Sequence, residues 1–269
     1  MSRRTVNISL HLILIVLTYA PFYFMLVSSV KTNPQILNNY FAPVFPFHLN
    51  NYVHAFDRVI DYLLNSVVIC GVSVAGVIVI SSLSSYVFAK VQFPGKNMLF
   101  LLLLSFLMIP SVLTLIPSFV LVVDLGLINS YWAAILPYMA FGQIIVIFVL
   151  RTFIEQIPQD LFDSAKMDGA SHVTIFLRIV ISLSKPIITS MALLNVLNNW
   201  NDFIWPMLVL PSESMKPVSV GLYAMTGVQQ VEYGPLFAGF AIASVPMILL
   251  LAVNMNYFIK GVTSGAVKA

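Results

Sequence analysis

The chain has 269 residues, 59% of them hydrophobic and only 9% charged, where a soluble domain carries roughly 25% charged residues. That composition is an integral membrane protein's, and the net charge of +3 comes without any basic run of the kind that binds nucleic acid. The single cysteine, Cys70, lies in an apolar run; it excludes an intrachain disulfide and a cysteine-rich metal site, and reads as a small packing residue.

A helix needs about 20 apolar residues to cross the hydrocarbon core, so charge-free stretches predict the spans. Six fit, at about 8–30, 63–89, 98–123, 130–150, 186–210 and 234–259, with a sharp turn expected at 126–129 and a single acid, Asp202, inside the fifth. The first follows MSRR, yet its apolar run far exceeds the roughly 7–15 residues of a signal peptide and no A-x-A site follows, so it reads as an uncleaved helix. Residues 31–62 form an outer segment of loop and short surface helices, whose Tyr40, Phe41, Phe45, Phe47 and Tyr52 suit the membrane–water interface. Residues 211–232, opening with PSESMKP, form a second outer loop. With no internal repeat, low-complexity tract or linker, 1–269 reads as one transmembrane domain.

Lysine and arginine placement predicts the orientation. Arg3, Arg4, Lys90, Lys96, Arg151, Lys166, Arg178, Lys185, Lys260 and Lys268 fall on one side, against Lys31, Arg58 and Lys216 on the other. The rich side is cytoplasmic, which puts both termini and the loop 151–185 there. That loop holds Arg151, Glu155, Asp160, Asp163, Lys166, Asp168, Arg178 and Lys185. Charge concentrated in one loop of an apolar chain is offered to something soluble.

Within the loop, Pro158 suits a helix start and Asp160 can cap one. Leu161, Phe162 and Ala165 make an apolar stripe at helical spacing, and Asp168-Gly169 stops the helix, since glycine takes the left-handed conformation at little cost. Ser171 caps a second helix whose Val173, Phe176, Leu177 and Val180 run back toward the membrane. Helix, glycine turn, helix is the expected shape. Physics alone leaves two readings: a partner-docking element, or an amphipathic connector resting on lipid headgroups. Four acids balancing four bases argue against the second, because anionic headgroups favour a basic face.

Asp163, Ser164, Ala165, Lys166, Met167, Asp168, Gly169 and Ala170, followed by Ile175-Phe176-Leu177-Arg178-Ile179-Val180, resemble the EAA loop of ABC-importer permeases. The Asp-Gly-Ala form, with Ser-Lys-Pro after it, resembles the carbohydrate-importer, MalG-like branch. LLNS at 63–66, SSYVFAK at 84–90, PGK at 94–96, WNDFIWP at 200–206 and GVTSGAVK at 261–268 are similar to that branch too, so the resemblance covers nearly the whole chain. It departs at Asp163 and Ser164, where Glu and Ala are usual, and at Ser182, where a proline is common and whose retained backbone donor predicts a straighter second helix.

The resemblance implies an all-α, six-span permease of the type I importer fold in a bacterial or archaeal cell membrane. It implies a heterodimer with a second permease subunit, two copies of a cytoplasmic ATPase, and an extracellular or periplasmic solute-binding protein. A sugar or oligosaccharide would be the substrate. The first short helix would be a coupling helix docking on the ATPase. The chain would bind no cofactor; it has no G-x-x-x-x-G-K-[ST] loop, so ATP and Mg belong to the partner ATPase. No serine–histidine–acid or metal constellation suggests an enzyme, and His11, His48 and His54 lack ligand spacing.

For the path through the membrane, Asp202 stands out, because an ionisable group inside a span faces protein or a watery cavity. At helical spacing Asn195, Asn198, Asn199 and Asp202 share one face, with Trp200 and Trp205 nearby. Amides, a carboxylate and aromatic planes are what a sugar needs, though the same groups can serve as interhelical hydrogen bonds. Pro110 and Pro117 are expected to break the third span, and Pro137 and Pro246 to interrupt the fourth and sixth. A glycerol-phosphate or polyol importer is the nearest alternative. An ion-coupled transporter using Asp202 is the alternative from another class, and would predict internal repeats.

Overall fold

The computed structural model describes residues 3–227 and 231–266, with side chains described over 7–227 and 231–255. Lys268 lies outside the described residues, and the side chains of Arg3, Arg4, Lys260 and the GVTSGAVK segment lie outside the described ones. In chain order the α-helices are α1 (Arg3–Ser29), α2 (Asn33–Asn38), α3 (Asn50–Lys90), α4 (Lys96–Ser105), α5 (Ser111–Asp124) and α6 (Tyr131–Glu155). They continue with α7 (Gln159–Met167), α8 (His172–Ile175), α9 (Ile181–Asn201), α10 (Ile204–Val209), α11 (Val218–Ala224) and α12 (Tyr233–Ala266). No strand occurs among the described residues. Among the described residues, five helices are long and apolar enough to span a membrane, and a sixth span results if α4 and α5 count as one bent pair.

The chain divides into two compact units, Met1–Leu64 with Val218–Ile248, and Asn65–Pro217 with Leu249–Ala269. In the first, α1 exposes its large apolar side chains all round from Ile8 to Leu17, as a lipid-embedded helix does. Its end is tied down: Asn51 Nδ2 donates to the carbonyls of Ser29 and Lys31 at 2.9 and 3.0 Å. Lys31 is fully buried, and its Nζ donates to the Asn39 carbonyl at 2.9 Å. Burial pushes that amine below its ordinary pKa.

The second unit has two cores. Val77 and Tyr86 of α3, Val146, Leu150 and Ile154 of α6, Phe162 of α7, Ile175 of α8, and Ile187 and Met191 of α9 make the larger. Ile69, Val122, Ala133, Ala134, Ile135, Trp205, Val209 and Leu210 make the other. Small residues let α3 and α6 approach: Ser81 and Ser85 donate to the carbonyls of Gln143 and Ile147 at 3.3 and 3.1 Å.

Several boundaries differ from the sequence expectation. α3 begins at Asn50, not 63, because charges at Asp57, Arg58 and Asp61 end an apolar run without ending a helix. The third span is two helices bent by 100°, with Pro110 at the break; its missing N–H and fixed φ stop one helix and start the next. Pro117 sits inside α5 without a break. The second loop helix starts at His172, as the Ser171 cap predicts, and passes through a π-helical turn, Phe176–Val180, directly into α9, so the fifth span continues from it rather than starting at 186. Thus the helix is irregular just before Ser182, where it was expected to run straight. It then stops at Asn201, short of the expected 210. The expected turn at 126–129 is present, with positive φ at Gly126 and Asn129.

Candidate functional site

Two places carry the polar chemistry of the second unit, and the first is the loop between α6 and α9. Pro158, with ψ 133°, occupies the position before α7, and Asp160 lies inside the first turn rather than at the cap. That corrects the expected capping role: Asp160 complements the helix dipole instead. At the far end the Ala170 N–H donates to the Ala165 carbonyl and the Gly169 N–H to the Lys166 carbonyl, both at 2.9 Å. This paired closure with Gly169 at φ +78° is a Schellman stop. The backbone N–H of Thr174 donates to Ser171 Oγ at 3.3 Å, so Ser171 caps α8 as expected.

The loop has an inner and an outer face. Phe162 is only 2% exposed, Ile157 and Ile175 are buried, and Ala165 and Ala170 pack against the same core. Leu161, expected in that stripe, instead stands 44% exposed, and Val173 and Leu177 also face outward. Asp163, Ser164, Lys166, Met167 and Asp168 are all exposed, with Met167 at 88%. The inner face is held by α3. Lys90 Nζ donates to the Ile157 carbonyl at 2.8 Å and sits 4.5 Å over the Phe162 ring. Tyr86 Oη and His172 Nδ1 share a hydrogen bond at 2.8 Å. Sequence reasoning missed Tyr86, Lys90 and His172, because contacts between distant elements leave no local pattern.

The second place is a cavity of about 970 Å³ between α5, α6, α9 and α10. Of the six expected path residues, Asn195, Asn198, Asn199, Asp202 and Trp205 line it, and Trp200 does not. Trp200 is buried in the packing of α9. Asn195 Nδ2 donates to the Met191 carbonyl at 3.0 Å, while the Nδ2 of Asn199 is buried without a hydrogen-bond partner. Ser111, Thr114, Ser118 and Tyr138 add hydroxyls that the sequence reading did not single out. The mid-span Tyr138 beside Pro137 was the available signal.

Asp202 is not on the helical face expected for it. It terminates α9 in an extended conformation, ψ 126°, and its carboxylate builds the corner. Oδ2 accepts from Tyr138 Oη at 2.8 Å, and Oδ1 accepts from the backbone N–H groups of Ile204 and Trp205 at 3.2 and 3.5 Å. The Trp205 indole donates to the Ala133 carbonyl at 3.0 Å. An acid that caps α10 and anchors α6 replaces the intrahelical bonds lost at the break.

Residues 78–264 match the family described as binding-protein-dependent transport system inner membrane component. The chain belongs to this family of ABC-importer permeases. It is accordingly a multi-pass membrane protein of a transport system. The arabinooligosaccharides transport system permease protein AraQ of Halalkalibacterium halodurans is 34% identical, over 92% of this chain and 90% of that protein. The probable ABC transporter permease protein YurM of Bacillus subtilis is 30% identical, over 98% of this chain and 88% of that one. The diacetylchitobiose uptake system permease protein NgcG of Streptomyces coelicolor is 28% identical, over 93% and 84%. In fold, the permease is similar to a chain in the crystal structure of a bacterial ABC transporter that imports the acidic polysaccharide alginate. The TM-score is 0.84 at 20% identity, covering 96% of this chain and 99% of that one.

Proposed function

We propose that this permease forms half of a heterodimeric importer for a neutral sugar or oligosaccharide. A solute-binding protein delivers the substrate, and two copies of an ATPase subunit, which bind the ATP and Mg, drive transport. In this reading both termini and the α7 loop lie on the cytoplasmic side, and α7 is the coupling helix. One observation carries the coupling assignment: α7 packs Phe162 and Ala165 inward while Asp163, Ser164, Lys166, Met167 and Asp168 stay exposed. A surface helix with one face locked into the spans and the other unpartnered can transmit a push from outside.

The substrate class rests on the cavity. Its lining offers asparagine amides, three serine and threonine hydroxyls and Tyr138, with Asp202 as the one charged lining residue and no lysine or arginine. Hydroxyl-rich neutral ligands suit such a wall, whereas phosphates and uronates would meet a carboxylate with no cation to offset it. Relatives named for arabinooligosaccharides and diacetylchitobiose support the same class, and the lack of a lining base disfavours glycerol-phosphate. Asp202 has both oxygens engaged by the protein, which favours a structural corner over the proton or ion carrier of a secondary transporter.

The test is ATP-driven uptake in proteoliposomes holding the complete transporter, with neutral and acidic oligosaccharides compared. Met167→Glu places a charge on an 88% exposed side chain, so it should leave assembly of the permease pair intact while abolishing uptake. Normal uptake by that variant contradicts the coupling role. Preferred uptake of acidic sugars contradicts the substrate class.

A further inference from the structure

The long helix α3 is where the loop meets the spans, and its last turn makes contacts that packing alone does not require. Lys90 could extend into solvent at the end of a helix, yet its ammonium turns to the loop. There it meets a backbone carbonyl, Ile157 O at 2.8 Å, and an aromatic face, Phe162 at 4.5 Å. Both are fixed points: Phe162 is the buried anchor of α7, and Ile157 precedes that helix by two residues. One turn earlier, Tyr86 holds His172, the first residue after the Ser171 cap. Thus α3 grips the loop at its entry and at its exit, with α7 between the two grips.

We propose that Lys90 and Tyr86 are positioning residues that latch the coupling helix to α3, so that displacement of α7 moves α3 rather than tilting α7 alone. The proposal rests on the coupling role proposed for α7. Lys90 is the stronger grip, because an ammonium donating to a carbonyl is a charge-assisted hydrogen bond and the Phe162 ring adds a cation–π attraction. Without that grip, Phe162 keeps α7 in its apolar seat but loses the tie that sets its direction. Within the same unit α3 runs on without a break from Lys90 back through Tyr86 and Val77, whose side chains share the core with α6 and α9, so a displacement delivered at Lys90 reaches that core.

The experiment compares Lys90→Gln, Lys90→Arg, Tyr86→Phe and Met167→Glu in the complete transporter. Amide hydrogen exchange over 157–171 is read in the permease pair, with sugar uptake and ATP hydrolysis read in proteoliposomes. Lys90→Gln should speed exchange at 157–163 by about tenfold or more, tenfold being the low end for a hydrogen bond to a charged group. It should also lower the sugar moved per ATP hydrolysed, while the amount of assembled complex stays unchanged. Lys90→Arg, which keeps donor and charge, should restore coupling, and Tyr86→Phe should loosen 170–174 with a smaller loss. Unchanged exchange in Lys90→Gln overturns the latch. Faster exchange with an unaltered sugar-to-ATP ratio overturns its part in coupling. If Met167→Glu transports normally, the coupling reading itself has failed and takes the proposal with it; if Met167→Glu is dead and Lys90→Gln is normal, only the latch has failed.

Discussion

Gly169 isolates a backbone effect from a steric one. A Cβ added there meets nothing within 4 Å, yet the residue sits at φ +78°. Substitution therefore costs only the left-handed conformation, about 1–2 kcal/mol for an ordinary L-residue, or a factor of roughly 5–30 in the equilibrium that closes the turn. Asparagine tolerates that region and should lose least, alanine more, and valine, being β-branched, most. The two carbonyl bonds at the stop, Gly169 to Lys166 and Ala170 to Ala165, are the reporters. Amide exchange at 169 and 170 in the assembled transporter should rise in the order Asn, Ala, Val, and uptake should fall in the same order. Equal protection in Gly169→Ala and the parent would refute the strain argument. If Gly169→Asn were as damaging as Gly169→Val, a clash with a docked partner, rather than backbone strain, would be the cause.

Phe162→Ala should destabilise the permease by about 3–5 kcal/mol, the usual cost of emptying a buried aromatic site, read as a lowered unfolding midpoint of the complex in detergent. Gly142→Ala puts a Cβ 2.6 Å from Asn195 Oδ1 and 3.2 Å from Val77 Cγ2; it should displace Asn195 and cut uptake more than it cuts assembly, measured by uptake per assembled complex. Asp202→Ala strands the Tyr138 hydroxyl and uncaps α10, a loss of about 1–3 kcal/mol, whereas Asp202→Asn keeps an acceptor oxygen for the corner and should lose less. Thermal unfolding of the pair separates them, and identical midpoints for both variants would speak against the corner role.

The loop was the most legible part of the chain. Gly169 after Asp168, and Ser171 ahead of the second helix, are local signals with local causes, and the turn and that cap stand where they point. Spans were legible as apolar runs, but charge-free length measures hydrocarbon thickness, so it could not show that α3 extends through Asp57, Arg58 and Asp61 back to Asn50. The break after Asn201 did leave a local signal that went unread: Pro206 cannot donate to the carbonyl of Asp202 four residues back, and the break falls in the polar run 198–202. What the sequence could not show is the contact that holds the corner, Tyr138 on Asp202, 64 residues apart. Lys90 was read for its sign, as one of the charges fixing orientation; its direction toward Phe162 is a tertiary fact. Trp200 and Trp205 looked alike as aromatic neighbours of Asp202, and only the fold separates the one that lines the cavity from the one that does not.

Cross-linking from Met167→Cys in the assembled transporter shows whether the outer face of α7 receives the ATPase. Cys70, the chain's one native cysteine, is buried, so a thiol at 167 is the accessible one this subunit presents. If α7 is the coupling helix, position 167 cross-links to the ATPase subunit, with ATP-driven uptake blocked while the link holds and restored when it is reduced. A transporter that imports sugar normally with that link closed, or one that gives no link at 167 but forms one from the opposite side of the permease, contradicts it.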